Sequence, residues 1–202
     1  MDCASSEHPP PAGGYVPAGA EAVKIVVVGP FAVGKTTLVG AVSDIAPLRT
    51  EERMTSAGAR VDVLERLGEK DTTTVAMDFG RTALAEDIVL YIFGAPGQPR
   101  FAHMVRTLLE GALGGIVMLD ERRVHESFDA IDLMETAGLP YTVAVNHFPD
   151  APAHREAELR DALSLTPTTP LVRVDARERT SATRALIALV THLLSRTPEP
   201  TP

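Results

Sequence analysis

Gly29, Gly34, Lys35 and Thr36 stand at the spacing G-x-x-x-x-G-K-T, with Pro30, Phe31, Ala32 and Val33 inside the loop and Thr37 directly after it. Two glycines let a main chain curl until successive N–H groups converge, which makes a concave seat for phosphate oxygens. The Lys35 ammonium is spaced to reach the outer phosphates of a nucleotide. The Thr36 hydroxyl is spaced to ligate a magnesium ion, and Thr37 to touch the phosphate nearest the sugar. The motif carries this meaning only between a strand and a helix. Both flanks qualify: 23–28 is apolar and β-branched, and a helical pattern begins at Lys35. A bare glycine turn with a chance lysine would need neither flank.

The elements that must position such a loop alternate along the chain. A strand over 22–28 leads through the loop to a helix over 35–46, which Pro47 ends. Residues 49–74 are long for a loop, and Val61, Val63, Leu64 and Leu67 fit either a short helix or an edge strand. Val75, Met77 and Phe79 share one face of a strand over 74–81, which turns at Glu86–Asp87 and pairs as a hairpin with a buried strand over 88–93. Residues 94–99 read as a strained loop by composition. A helix from Arg100 follows, with Phe101, Met104, Val105, Leu108 and Ala112 on one face. Strands over 114–120, 141–146 and 171–175 alternate with helices over 127–137, stopped by Gly138, and over 153–163. Thr180 stands where it would cap a last helix facing inward through Leu186, Ile187, Val190, Leu193 and Leu194. This order predicts an α/β fold of the P-loop NTPase kind, a mostly parallel central sheet with helices on both faces. Ligands then lie at the carboxyl ends of the strands, where the other informative clusters also fall: Gly97–Gln98, Asn146 to Asp150, and Asp175-Ala176-Arg177.

Composition narrows the partners. The chain has 202 residues, 45% of them hydrophobic, and a formal net charge of −8. An acidic surface argues against nucleic acid or anionic lipid as the main ligand, so a nucleotide would be held by local dipoles and Mg²⁺. One cysteine, Cys3, forms no internal disulfide and fits a reducing, cytoplasmic setting. No apolar run reaches membrane-spanning length, so direct membrane insertion is not expected. Residues 1–20 read as a disordered Pro/Gly-rich arm, 21–196 as the nucleotide-binding domain and 197–202 as a disordered tail. The six histidines fall on separate elements and suggest no metal cluster.

Four strand-end motifs in one order resemble the Ras-like small GTPases over roughly 23–195: Gly-Pro-Phe-Ala-Val-Gly-Lys-Thr-Thr, Thr-Thr-Val-Ala-Met-Asp-Phe-Gly-Arg, Gly-Ala-Pro-Gly-Gln-Pro-Arg-Phe and Val-Ala-Val-Asn-His-Phe. Within that superfamily they look most like actinobacterial conservon (Cvn-type) proteins, which are similar to Mgl-type polarity GTPases. The resemblance implies a switch that binds GTP·Mg²⁺, hydrolyses it slowly to GDP and is recruited to membranes by partners. Those partners would be a roadblock-domain regulator and a sensor-kinase complex. It implies that Thr74 (or Thr73, one register back) ligates Mg²⁺, that the Gly97 N–H binds the γ-phosphate and that Gln98 orients the attacking water. Lys35 and Thr36 keep their phosphate and metal roles. Asn146, His147, Phe148 and Asp150 would form one wall of the base site. Asp175, Ala176 and Arg177 would form the other, with the Ala176 N–H on guanine O6.

Three positions depart from that pattern. Gly94 replaces an aspartate that normally holds a Mg²⁺-bound water, with no carboxylate expected nearby. Phe31 replaces a glycine beside the γ-phosphate, where its ring would crowd Gln98 or an incoming arginine and slow hydrolysis. Pro149 replaces the aspartate that reads guanine, and Asp150 comes one residue late. Two charge-assisted hydrogen bonds are then lost, about 3–5 kcal/mol of base selectivity. Arg177 and Arg179 are candidates for an internal arginine finger or plain solvated cations. Two other readings stand beside the switch: an ATP-binding P-loop protein such as a metabolic kinase, and a nucleotide-binding scaffold without turnover.

Overall fold

Alternate apolar residues of β1 (Glu21–Val28) point to opposite faces, and both faces are buried. Ile25 and Val27 join one core, Val26 and Val28 the other. A strand buried on both sides belongs in the middle of a parallel sheet, and β1 lies there. The computed structural model describes residues 19–54 and 73–196. Among these residues, seven strands form a sheet in the order β2-β3-β4-β1-β5-β6-β7. They are β2 (Leu48–Met54), β3 (Thr73–Ala83), β4 (Ile88–Gly94), β5 (Gly114–Leu119), β6 (Tyr141–Asn146) and β7 (Leu171–Val174). Only β3 runs against its neighbours; every other pairing is parallel.

Helices cover both faces. On one, α1 (Lys35–Val42) and α5 (Arg179–Arg196) pack Leu38, Val39, Ala182, Ala185 and Leu189 against Ile25, Val27 and Ile92. On the other, α2 (Ala102–Leu109), α3 (Phe128–Thr136) and α4 (Glu156–Ala162) bring Val105, Met134 and Leu159 onto Val28, Val117 and Val143. The fold is therefore α/β with a mostly parallel sheet flanked by helices, as a P-loop NTPase requires. No helix among the described residues is long and apolar enough to cross a membrane.

Several elements differ from expectation. The first helix ends at Val42 rather than 46, because Ser43 turns extended and its hydroxyl binds Ile45 O and Arg81 N. Pro47 therefore lies beyond a helix already closed. The hairpin of β3 and β4 forms as expected, and β2 adds a further antiparallel strand on its outer edge. Val61, Val63, Leu64 and Leu67 lie outside the described residues, as do the proposed arm up to 18 and the tail from 197. Around Arg100 a 3-10 turn (Pro99–Phe101) precedes α2, and Ala112 falls after its end. An unforeseen 3-10 segment, Glu121–Ser127, links β5 to α3. Arg179 already begins α5, so Thr180 is inside it and not its cap. That helix faces inward through Ala182, Ala185, Leu186 and Leu189, while Ile187 and Leu194 are exposed. Two alanines let α5 approach the sheet closely, which a reading based on large apolar residues overlooks.

Candidate functional site

The loop after β1 is wound by positive φ at Gly29 (140°), Ala32 (60°) and Gly34 (106°). Space imposes the glycines as firmly as torsion does. A Cβ at Gly29 would lie 2.7 Å from Met118 O, and one at Gly34 2.6 Å from Asn146 Nδ2. Leu38 N is bonded to Gly34 O at 2.9 Å. The three preceding N–H groups, of Lys35, Thr36 and Thr37, have no acceptor inside the helix, as at any helix start. Lys35 is buried, and its Nζ donates to Gly29 O at 2.8 Å and Pro30 O at 2.6 Å. Burial lowers its pKa to about 8, against an opposing pull from the Asp78 charge. The ammonium thus rests on loop carbonyls next to the free N–H groups that open α1.

Thr36 Oγ1 donates to Asp78 Oδ2 at 2.5 Å. Asp78 is buried on β3, directly opposite Gly94 on β4. A Cβ at Gly94 would stand 3.1 Å from Asp78 Cβ and 3.2 Å from Oδ2. The expectation that no carboxylate stands near Gly94 is therefore corrected: the neighbouring strand supplies one, in the space that the missing side chain vacates. Thr36 and Asp78 offer hard oxygen donors, which suit Mg²⁺.

Gly97 is pressed against the same loop. A Cβ there would fall 2.5 Å from Lys35 Nζ and 2.7 Å from Phe31 N, so only glycine fits. No residue from Gly94 to Gln98 has positive φ, so this loop is close-fitting and not strained. Gln98 lies beside it, with its Oε1 accepting from Arg100 Nε at 2.9 Å. The Phe31 ring is 63% exposed, and Phe31 and Gln98 line the same cavity. Thr74 lies in the β3 ladder opposite Arg53, and Thr73 opposite Met54, rather than in a loop.

On the base side, Asn146 is a brace. Its Nδ2 donates to Val33 O and its Oδ1 accepts from Ala176 N, each at 3.0 Å. The Ala176 N–H expected to meet a base is thus turned onto Asn146. Arg177 is paired with Asp175, whose carboxyl its side-chain and backbone hydrogen bonds hold down to about 2. Arg179 is bonded to Asp44 and Ser43 O, which ties α5 to the end of α1. Neither arginine reaches the phosphate loop through these bonds. His147 N donates to Val174 O at 2.8 Å, and the His147, Pro149 and Asp150 side chains are exposed. Phe148 lies under the Arg122 guanidinium, 3.9 Å from the ring centre.

Two groups escaped the sequence reading. Asp78 carried a signal: with Val75, Met77 and Phe79 on one strand face, a charge falls on the other, between Ala76 and Gly80. The second is Asp120-Glu121-Arg122-Arg123, a charged run at the end of a buried strand. Asp120 is fully buried. Burial pushes its carboxyl up, but hydrogen bonds and charge from Arg122, then Arg123, outweigh this and hold it below the usual range. A cavity of ≈ 510 Å³ adjoins the site, lined in part by Pro30, Phe31, Gly97, Val105 and Leu133.

The chain is similar to known proteins over most of its length. An uncharacterized protein of Methanocaldococcus jannaschii, MJ1339, is 32% identical over 126 residues, covering 61% of this chain and 69% of that protein. A model of the family described as conserved hypothetical ATP binding protein matches residues 27–196, from within β1 to the end of α5. With its phosphate loop, its β4 loop and its Asn146 brace all inside that match, the chain belongs to the conserved hypothetical ATP binding protein family.

Proposed function

We propose that the protein binds a purine nucleoside triphosphate with Mg²⁺ and hydrolyses it slowly to the diphosphate, with ATP the first candidate. The observation that carries this reading is the loop between β1 and α1. It is wound by three positive φ values and closed by Lys35, with Gly97 packed against it. Thr36 and Asp78 would hold the metal, which when bound neutralises charge on the phosphates. Gln98 would orient water once released from Arg100, and Asn146 fixes the loop to β6. Adenine is favoured at the base because Pro149 removes the guanine-reading carboxylate, Ala176 N is spent on Asn146, and the family is described as ATP binding.

The order of the four motifs favours a second reading, a GTP-binding switch. Thr74 and Gln98 would then report the γ-phosphate to a roadblock-type regulator and a membrane-linked sensor complex. Calorimetric titration with ATP, ADP, GTP and GDP, with and without Mg²⁺, decides between them. We expect ATP to bind at least as tightly as GTP, with Lys35→Ala abolishing both. Binding confined to GTP and GDP would select the switch. Heat from none of the four would end both readings.

A further inference from the structure

We propose that Arg123 is an internal arginine finger: it leaves the Phe31 carbonyl for the triphosphate and stabilises charge as the γ-phosphate departs. The inference rests on the hydrolytic reading above. Arg123 interrupts the 3-10 segment after β5 with a non-helical backbone, φ −145° and ψ 49°. Its Nη2 donates to Phe31 O at 3.2 Å, on the phosphate loop itself. A Cβ at Gly97 would meet both Phe31 N, at 2.7 Å, and Lys35 Nζ, at 2.5 Å. The guanidinium therefore rests against the residue that borders the seat of the outermost phosphate.

Arg123 is not needed to neutralise its acidic neighbour. Asp120 already takes Arg122 through both oxygens, at 2.9 Å from Nε and 2.8 Å from Nη2. Arg123 reaches the same carboxylate only at 3.3 Å, and its shorter ion pair, at 2.9 Å, is to Glu126. Its side chain remains one-third exposed. Its bonds are divided among Asp120, Glu126 and Phe31 O and are partly open to solvent, so they can be exchanged for a more highly charged anion. Arg177 and Arg179 are held by Asp175 and Asp44. Arg123 approaches the loop from the segment after β5.

In the step, a water oxygen forms a bond to the γ-phosphorus. The bond from that phosphorus to the β–γ bridging oxygen breaks, and its electron pair stays on the diphosphate. The water's proton passes to the released phosphate. Arg123 donates to the bridging oxygen as its negative charge grows, so its contribution is larger in the transition state than in the ground state.

The full-length chain tests this, first by titration with ADP and GDP and then by single-turnover cleavage of whichever triphosphate binds. Arg123→Ala and Arg123→Lys should keep diphosphate affinity within about twofold and lose the chemical step by ~100-fold or more. The wild-type chain with diphosphate and aluminium fluoride should form a stable ternary complex without any partner, and Arg123→Ala should not. Cleavage by Arg123→Ala at the wild-type rate overturns the inference and leaves the hydrolytic reading intact. So does a fall in diphosphate affinity and melting temperature that matches the fall in rate, which marks a structural role. A wild-type chain that binds neither diphosphate and cleaves no triphosphate overturns both.

Discussion

Asp78 and Gly94 face each other across the β3–β4 ladder, and the space between them holds one carboxylate and no more. Removing Asp78 should therefore weaken the Mg²⁺-dependent part of nucleotide binding, by about 10–100-fold, the usual cost of losing a group that orients a metal ligand. Affinity measured in excess chelator should not change. Gly94→Asp alone should destabilise the fold by about 1–3 kcal/mol through overpacking. Asp78→Gly combined with Gly94→Asp should restore the Mg²⁺ dependence; a double variant as impaired as Asp78→Gly would sink the exchange. Lys35 adds a pH dependence. Its folded pKa of about 8 lies below the ordinary 10.5. Between those values the unfolded chain keeps a proton that the folded chain has lost, so this group makes stability rise with pH across that window. Binding a triphosphate needs the ammonium, so affinity should fall above pH 8 and binding should take up a proton. Calorimetry at about pH 9 in two buffers of different ionisation enthalpy reads this directly; identical apparent enthalpies would refute it.

Between elements, one buried carboxylate joins the end of β5, β7 and the loop before α4. Glu121 accepts from Arg173 Nη1 and Nη2 at 2.7 and 3.0 Å and from His154 N at 3.2 Å. Arg173 Nη2 also donates to His154 O. Glu121 is 7% exposed and Arg173 48%, so the two deletions differ. Arg173→Ala strands a buried carboxylate and should cost about 2–4 kcal/mol. Glu121→Ala leaves a guanidinium that water can reach and should cost about 1–2 kcal/mol. Urea unfolding ranks them, and the reverse order would show that the carboxylate finds another partner. This bond set was not legible beforehand, because its members are 33 and 52 residues apart. The phosphate loop was legible because its determinants lie within nine consecutive residues. The β3–β4 hairpin was legible from a turn between two apolar runs. Asp78 and Arg123 act through strands and loops that meet only in the folded sheet. Their alternation and charge were visible in the chain, but their partners were not.

At the scale of the whole molecule, a protein of formal net charge −8 has to admit an anionic ligand if the proposed function holds. On the proposed reading, the net charge of −8 would repel a triphosphate at long range, while the loop amides, Lys35 and Arg123 would attract it within a few ångströms. Salt separates the two effects, since the Debye length shrinks from about 30 Å at 0.01 M to about 10 Å at 0.1 M. Repulsion summed over the surface is then screened, and short contacts within the loop much less so. The association rate of a fluorescent nucleotide triphosphate should accordingly rise by about twofold or more between 0.01 and 0.1 M salt. Its dissociation rate should change little. A basic nucleic-acid-binding surface would behave oppositely, with affinity falling steeply as counterions compete. Stopped-flow traces at constant Mg²⁺ give both rates. An association rate that falls with salt would mean that the cations around the loop dominate the approach, and that the overall charge takes no part in selecting the ligand.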